Sequence, residues 1–308
     1  MDERKREEYT NATSETTEMI HRLTIGCKIN LYLEITGVRP DGYHELDTLF
    51  YPCPEPHDTL ELEMTGGEGG LVLTCSDPAL ETPSNLAARA YEAFGAATGW
   101  RPALRAHLVK RIPSGAGLGG GSADAAALLG WLNARAEKAL SKDALAALAA
   151  TLGADVPFFL ENRPARARGR GDILTPADVD LSGLTLVVAV PPERVSTAWA
   201  YAKWDEAKAM KNGRNAGKLG DGIAASFLTN LRGPDMRTLC VNCFEPVVFE
   251  TYPAVRKLKE RLLALGAVAA GMSGSGSAVF GIFRHSAQAD AALSALVTSG
   301  TAVFSALL

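Results

Sequence analysis

"PSGAGLGGGSADAAALL", Pro113 to Leu129, places five glycines in its first nine residues and then turns into alanines and leucines. Glycine gives up more conformational freedom on ordering than any other residue. A cluster this dense, directly in front of a good helix former, points to close backbone approach rather than to packing. At the start of a helix the natural partner for such an approach is an anion. The first N–H groups of the helix have no internal acceptor, and the helix dipole adds partial positive charge. The stretch predicts a phosphate-binding loop feeding a helix from Ser122 to about Ala134. Bulk at Gly119 or Gly120 is expected to block the phosphate.

The strand in front of the loop narrows the choice of loop type. "ALRAHLVKRI" puts Leu104, Ala106 and Leu108 on one face and Arg105 and His107 on the other. That alternation marks a half-exposed strand. Gly115-x-Gly117-x-x-Gly120 matches a dinucleotide-binding fingerprint, but the strand before such a loop should be apolar on both faces. Pro113 also interrupts the passage from strand to loop. A Walker loop would need a lysine where Gly121 stands. The phosphate is then held by backbone N–H groups, with the Ser122 hydroxyl within reach of a phosphate or of a bound Mg²⁺.

Outward from the loop, strands and helices are mixed without the regular alternation of a doubly wound sheet. "LTIGCKINLYLEITG" reads as a strand, Pro40-Asp41-Gly42 as a turn, and "DTLELEMTGGEGGLVLTC" as a hairpin around Gly66 to Gly70. Ser84 is the expected N-cap of a helix that stops at Gly99. Helices are expected over Lys142–Leu152, in "PAVRKLKERLLALG" and in "SAQADAALSALVTSG", with strands in "LTLVVAVP", "AVFGIF" and "TAVFSALL". The fold class is α+β, two layers in each half. The expected division is a polar lead-in, 1–22, an N-terminal domain, 23–183, and a C-terminal domain, 184–308. A polar stretch, Ala207 to Gly222, reads as a surface segment.

The chain has 308 residues, 47% hydrophobic and 21% charged, with a formal net charge of −4. This balance argues against nucleic-acid and anionic-membrane partners, and no apolar run approaches a membrane span of roughly 18 residues. The lead-in "MDERKREEYTNATSETTEMI" lacks the apolar core of a signal peptide. Five cysteines, an odd number at low density, fit reduced thiols in the cytoplasm. Cys240 and Cys243 form a C-x-x-C, but no second pair completes a zinc site and no βαβ setting suits a redox motif. Two small buried residues are the plainer reading.

"PSGAGLGGGSADAA" resembles the phosphate loop of the GHMP kinases, and "GMSGSGSAVFG" resembles their C-terminal glycine motif. "KINLYLEITGVRPDGYHELDTLF", Lys28 to Phe50, and "LGADVPFFL", Leu152 to Leu160, resemble the members whose acceptor is a cytidine diphosphate-linked methylerythritol. The four motifs stand in the right order from about Thr24 to the C-terminus. The resemblance implies a two-domain fold with a cleft between the halves. It implies ATP and Mg²⁺, and transfer of the γ-phosphate to the tertiary, 2-position hydroxyl of the acceptor on a route to isoprenoid precursors. It also implies a small-molecule substrate as partner and a cytoplasmic monomer or homodimer.

Residue by residue, the resemblance places Lys28 and Asp155 at the reacting centre. Lys28 also stands in an apolar run with Ile25, Cys27, Ile29 and Leu31, where a lysine needs a partner. Asp155 could otherwise cap a helix. Pro113, Ser114, Gly115, Ala116, Gly117, Leu118, Gly119, Gly120, Gly121, Ser122 and Ala123 carry over as the ATP loop, Asn85 and Lys110 as neighbours of the adenosine. Ser273, Gly274, Ser275 and Gly276 carry over as the C-terminal loop. Asn30 shares the strand face of Lys28 and carries over as an acceptor contact, as does Thr197. Tyr43 and Tyr201 are expected to sandwich the cytosine from opposite halves, and His44 to read its edge. Asp124 is left open as a further Mg²⁺ contact. Another small-alcohol kinase of the same family, and a fold that only binds, remain as alternatives. The segment "GYHELDT" speaks against the first, and intact Lys28, Asp155 and glycine loops against the second.

Overall fold

The computed structural model describes residues 19–211, 240–297 and 300–308. Residues 1–18 of the lead-in and 212–222 of the polar stretch lie outside them. Two long strands organise the N-terminal half. β1 (His21–Val38) and β2 (His44–Met64) run antiparallel. They are joined by the expected turn, where Gly42 takes φ 82° and Asp41 accepts the Tyr43 N–H. The other edge of β2 pairs with β4 (Ala103–Val109) at one end and β5 (Ala165–Gly169) at the other. β3 (Gly70–Cys75) lies outside β4, and β6 (Ile173–Pro176) outside β5.

The hairpin expected around Gly66 to Gly70 does not form. β4 inserts between β2 and β3, and β3 runs parallel to it. Alternation specifies that a segment is a strand but not which strand it pairs with. Here α1 (Leu86–Thr98) is the crossover that a parallel pair requires. The N-cap of α1 is also not Ser84 but Asn85, whose Oδ1 accepts the Ala87 N–H at 2.9 Å. Ser84 instead pairs its hydroxyl with that of Thr82.

Three further helices, α2 (Gly120–Asn133), α3 (Lys142–Leu152) and α4 (Val156–Glu161), pack with α1 on one face of this sheet. Leu60, Leu62, Leu104, Ala106 and Leu108 meet Tyr91, Phe94, Leu128, Leu129 and Val156 there. The second sheet is antiparallel in the order β10 (Ala302–Leu307), β7 (Thr185–Val190), β9 (Val279–Phe283), β8 (Ala269–Met272). Its partners are α5 (Thr197–Lys211), α6 (Glu245–Thr251), α7 (Pro253–Ala264) and α8 (Ser286–Leu296). Residues 207–211 of the polar stretch form the last turn of α5.

Every residue of β7 is buried, because the two sheets share a core. Leu186, Val188 and Val190 point into a cluster with Cys27, Ile29, Leu31 and Tyr32 of β1. Val187 and Ala189 point the other way, toward Val255, Leu262 and Leu296 of the helices. Each half has the two layers expected of it, and the sheets close against each other.

Candidate active site

The glycine loop runs from the end of β4 into α2. Gly115, Gly117 and Gly119 take φ values of 73°, 83° and 75°, the left-handed region that only glycine enters cheaply. The carbonyls between them are turned into the protein. The Ala116 oxygen accepts from Ala278 N–H at 3.0 Å, Gly117 from the Ser273 hydroxyl at 2.8 Å, and Leu118 from Lys28 N–H at 3.0 Å. In a trans peptide the N–H opposes the C=O, so the N–H groups of Gly117, Leu118 and Gly119 face outward. They stand at the start of α2, and no side chain caps that helix. The side chains of Ala116, Leu118 and Ala123 are buried in the cores; what they offer a ligand is backbone. Ser114 is exposed at the mouth and Ser122 is half-buried.

The glycines serve different neighbours. A Cβ on Gly117 would stand 2.1 Å from the Ser273 carbonyl oxygen, and one on Gly119 would stand 2.9 Å from the Phe159 ring. One on Gly120 would meet Ile112 at 2.8 Å. Bulk at Gly119 or Gly120 therefore collides with the protein itself before any phosphate. Gly121 differs: it is exposed, and its nearest neighbour is Leu86 at an ordinary 3.6 Å.

The second loop, between β8 and β9, locks onto the first. Ser273 donates to Gly117 and also lies 3.3 Å from Asn30 Oδ1 and Asn30 N. Ser275 pairs with Thr197, the first residue of α5, at 2.9 Å. Asn242, which no sequence motif singles out, donates to the carbonyls of Met272 and Gly274, both at 2.7 Å. It sits in a segment bridged to β1 at Leu33.

Lys28 is 3% exposed, and its Nζ donates to Asn30 Oδ1 at 2.7 Å. The Asn30 amide in turn donates to Thr48. Asp155 Oδ2 lies 3.7 Å from Lys28 Nζ. Asp155 occupies the N-cap position of α4, yet its carboxylate makes no capping bond, and its side chain is one-third exposed. The carboxylate is thus held at the surface of the cleft beside a buried cation, too far for a direct hydrogen bond but close enough to share one hydroxyl. Phe50 lies under the ammonium at 5.1 Å.

The structure gives Lys110 and Asn85 partners within the protein. Lys110 Nζ contacts Asp58 and lies 2.8 Å from Asp124. Asp58, fully buried, also accepts the N–H groups of Arg111 and Ile112 at 2.6 and 2.9 Å. This cluster fixes the approach to the glycine loop. The Asn85 amide is used at both ends, on Leu80 O and Ala87 N. Asp58 was legible in principle: it shares its strand face with Leu60 and Leu62, an acid in the inward phase of the alternation.

Asp124 has its Oδ1 buried without a hydrogen-bond partner. Burial, reinforced by the Asp58 charge against the pull of Lys110, raises its pKa to about 7. A carboxyl whose folded value lies above its unfolded one favours folding at low pH. That contribution is lost as pH rises from the ordinary carboxylate range through the raised value. Asp124→Asn should therefore gain stability relative to the parent between about pH 4 and pH 7, by up to about 1.4 kcal/mol per pH unit. Denaturant melts across that range that run parallel for the two proteins would refute the assignment.

At the other end of the cleft the structure departs from the expected sandwich. The ring stacked on Tyr201 belongs to His44, at 4.6 Å and 29°, with Phe244 edge-on to Tyr201. Tyr43 is exposed, with the Arg170 guanidinium 5.2 Å over its face. Neighbours on an extended chain point to opposite sides, so Tyr43 and His44 cannot both face Tyr201. Burial, with smaller contributions from Cys243 and Asp155, pushes the Tyr201 hydroxyl up to about 12.

Burial also pushes the thiols of Cys240 and Cys243 up to about 12, which makes both poor nucleophiles and metal ligands. Among the described residues there is no cluster of His, Cys, Asp or Glu that could hold a metal.

Two family models match the chain, GHMP kinases N terminal domain over residues 85–163 and GHMP kinases C terminal over 226–301. A 4-diphosphocytidyl-2-C-methyl-D-erythritol kinase of Solidesulfovibrio magneticus is 51% identical over 93% of this chain and 96% of its own length. The chain belongs to that kinase family. A second such kinase, from Nitratidesulfovibrio vulgaris, is 47% identical over 93% of this chain and 98% of its own. The crystal structure of a 4-(cytidine 5'-diphospho)-2C-methyl-D-erythritol kinase superposes with a TM-score of 0.76 at 35% identity, covering 92% of this chain and 98% of that one. Homoserine kinase from Cytophaga hutchinsonii, 18% identical with a TM-score of 0.67 over 92% and 94% of the two chains, shares the fold. The kinase family thus accounts for the α+β halves and for both glycine loops.

Proposed function

We propose that this kinase transfers the γ-phosphate of ATP to the 2-hydroxyl of 4-diphosphocytidyl-2-C-methyl-D-erythritol, a step toward isoprenoid precursors. The observation that carries the reading is the placement of Lys28 and Asp155, 3.7 Å apart, beside two interlocked glycine loops. Phosphoryl transfer asks a protein mainly for positioning and charge stabilisation. Outward-facing loop N–H groups and the start of α2 hold the triphosphate. Asp155 takes the proton of the acceptor hydroxyl. Lys28, oriented by Asn30, stabilises the negative charge that develops on the transferring group. Thr197 and Asn30 line the acceptor's path.

Mg²⁺ fits this site as an ion carried by the nucleotide. The chain offers it the Ser122 hydroxyl, while Asp124 is taken by Lys110. Mg²⁺ characteristically keeps most of its coordination on phosphates and water, and its chemistry there would be to neutralise phosphate charge. For the setting of the enzyme we propose the cytoplasm and a monomer or homodimer without nucleic-acid or membrane partners. The five free thiols support the first of these and the negative net charge the absence of nucleic-acid partners; no helix among the described residues is long and apolar enough to cross a membrane.

At the acceptor end we place the base against the free edge of His44, beside the Tyr201 ring that His44 covers, with the exposed Tyr43 ring brought onto its face on binding rather than already facing Tyr201. Base–aromatic stacking contributes roughly 1–3 kcal/mol per base. Tyr43→Ala should raise the acceptor KM about five- to 150-fold, the same range expressed as affinity, with the KM for ATP unchanged. The decisive assay measures ATP consumption with a panel of acceptor alcohols. Turnover confined to the cytidine diphosphate-linked acceptor is expected. Efficient phosphorylation of free methylerythritol, its 4-phosphate, homoserine or mevalonate would overturn the reading.

A further inference from the structure

One turn of α5 surrounds the His44 ring on several sides. Tyr201 stacks on it, Trp204 meets it edge-on at 5.8 Å and 88°, and Asp205 Oδ1 lies 2.9 Å from its Nε2. These three residues stand at i, i+3 and i+4, one face of the helix. The first two orient the ring. The third adds chemical information, because a carboxylate accepts and cannot donate. Of the two neutral tautomers only the one with the proton on Nε2 satisfies Asp205. Nδ1 is then left with a lone pair and no proton.

We propose that Asp205 is a positioning residue that fixes His44 as an acceptor, and that this makes the site choose a cytosine over a uracil. The proposal rests on the functional reading above, in which His44 meets the edge of the base. Cytosine presents an exocyclic amino donor where uracil presents a carbonyl oxygen. An Nδ1 lone pair bonds the first and repels the second. Without Asp205 the imidazole can move its proton to Nδ1 and donate to the uracil oxygen, and the preference dissolves. The ring's side chain is only 13% exposed, so an unpaired contact there is not readily repaired by water. A site built on such a contact discriminates strongly against the analogue that lacks the partner group.

The test is Asp205→Asn, whose amide can donate to Nε2 and so permits the other tautomer at nearly the same shape. In the free enzyme with ¹⁵N-labelled histidine, long-range ¹H–¹⁵N correlation should show His44 in the Nε2–H form in the parent. The variant should show a displaced tautomer equilibrium. In kinetics, the ratio of kcat/KM for the cytidine-linked acceptor to that for its uridine analogue should be about 100-fold or more in the parent. It should fall by about tenfold or more in the variant, through the acceptor KM, while kcat and the KM for ATP change little. An unmoved tautomer or an unmoved ratio each overturns the proposal. A parent that does not use the cytidine-linked acceptor at all overturns the functional reading instead, and the tautomer measurement still decides whether Asp205 sets His44.

Discussion

Asp155→Asn should lower kcat by about 10²- to 10⁴-fold, the usual cost of losing a general base, and leave acceptor and nucleotide binding nearly intact. The substitution keeps the shape of the side chain and removes its affinity for a proton. The carboxylate makes no capping bond to α4 and is one-third exposed, so the helix does not depend on its charge. Lys28 keeps its hydrogen bond to Asn30 in the variant, and the ammonium is not left without a partner. The split between kcat and KM separates the catalytic role from a structural one. A variant within about threefold of the parent, well below the range for a base, would return Asp155 to the status of a helix residue.

Gly117→Ala should damage stability and activity together. Alanine at φ 83° costs about 1–2 kcal/mol in backbone strain. Its Cβ would also stand 2.1 Å from the Ser273 carbonyl oxygen, and relieving a clash of that size typically costs a further 1–3 kcal/mol. The relief has only one direction, separation of the two glycine loops. That displaces Ser273 from Asn30 and Gly117, and with it the support of Lys28. Misplacing reacting groups by about 1 Å can cost about 10² in rate. Thermal denaturation and steady-state kinetics should therefore fall together. Gly121→Ala is the matched control, with normal φ and open surroundings, and should retain its melting temperature. A Gly117→Ala protein with parental stability and rate would show that the loops are not in contact.

The glycine loop is legible from residues 113–129 because so many glycines directly before a helix serve close approach better than packing. Lys28 announces itself as a charge inside an apolar run. Pairing is less legible. The segments Asp58–Cys75 and Ala103–Val109 each read as strands, yet their order in the sheet depends on a crossover helix that local alternation does not encode. Tyr43 and Tyr201 stand out in the sequence as unusual aromatics, but strand phase, which puts His44 rather than Tyr43 against α5, decides what meets Tyr201. Asn242 gives no signal of its own kind. Its Oδ1 caps the local turn at Phe244, and only the fold reveals that its amide nitrogen grips the loop some thirty residues on.

The bond from Ser273 to Gly117 spans 156 positions of chain, and the cluster under α1–α4 is built wholly from the N-terminal half. Closing a loop of that length is an entropic step that only late, long-range contacts reward. During refolding, secondary structure and both helical layers should therefore return before the chain can hold a nucleotide. A newly made molecule whose C-terminal half has not yet emerged is, on this arrangement, a protein without an active site.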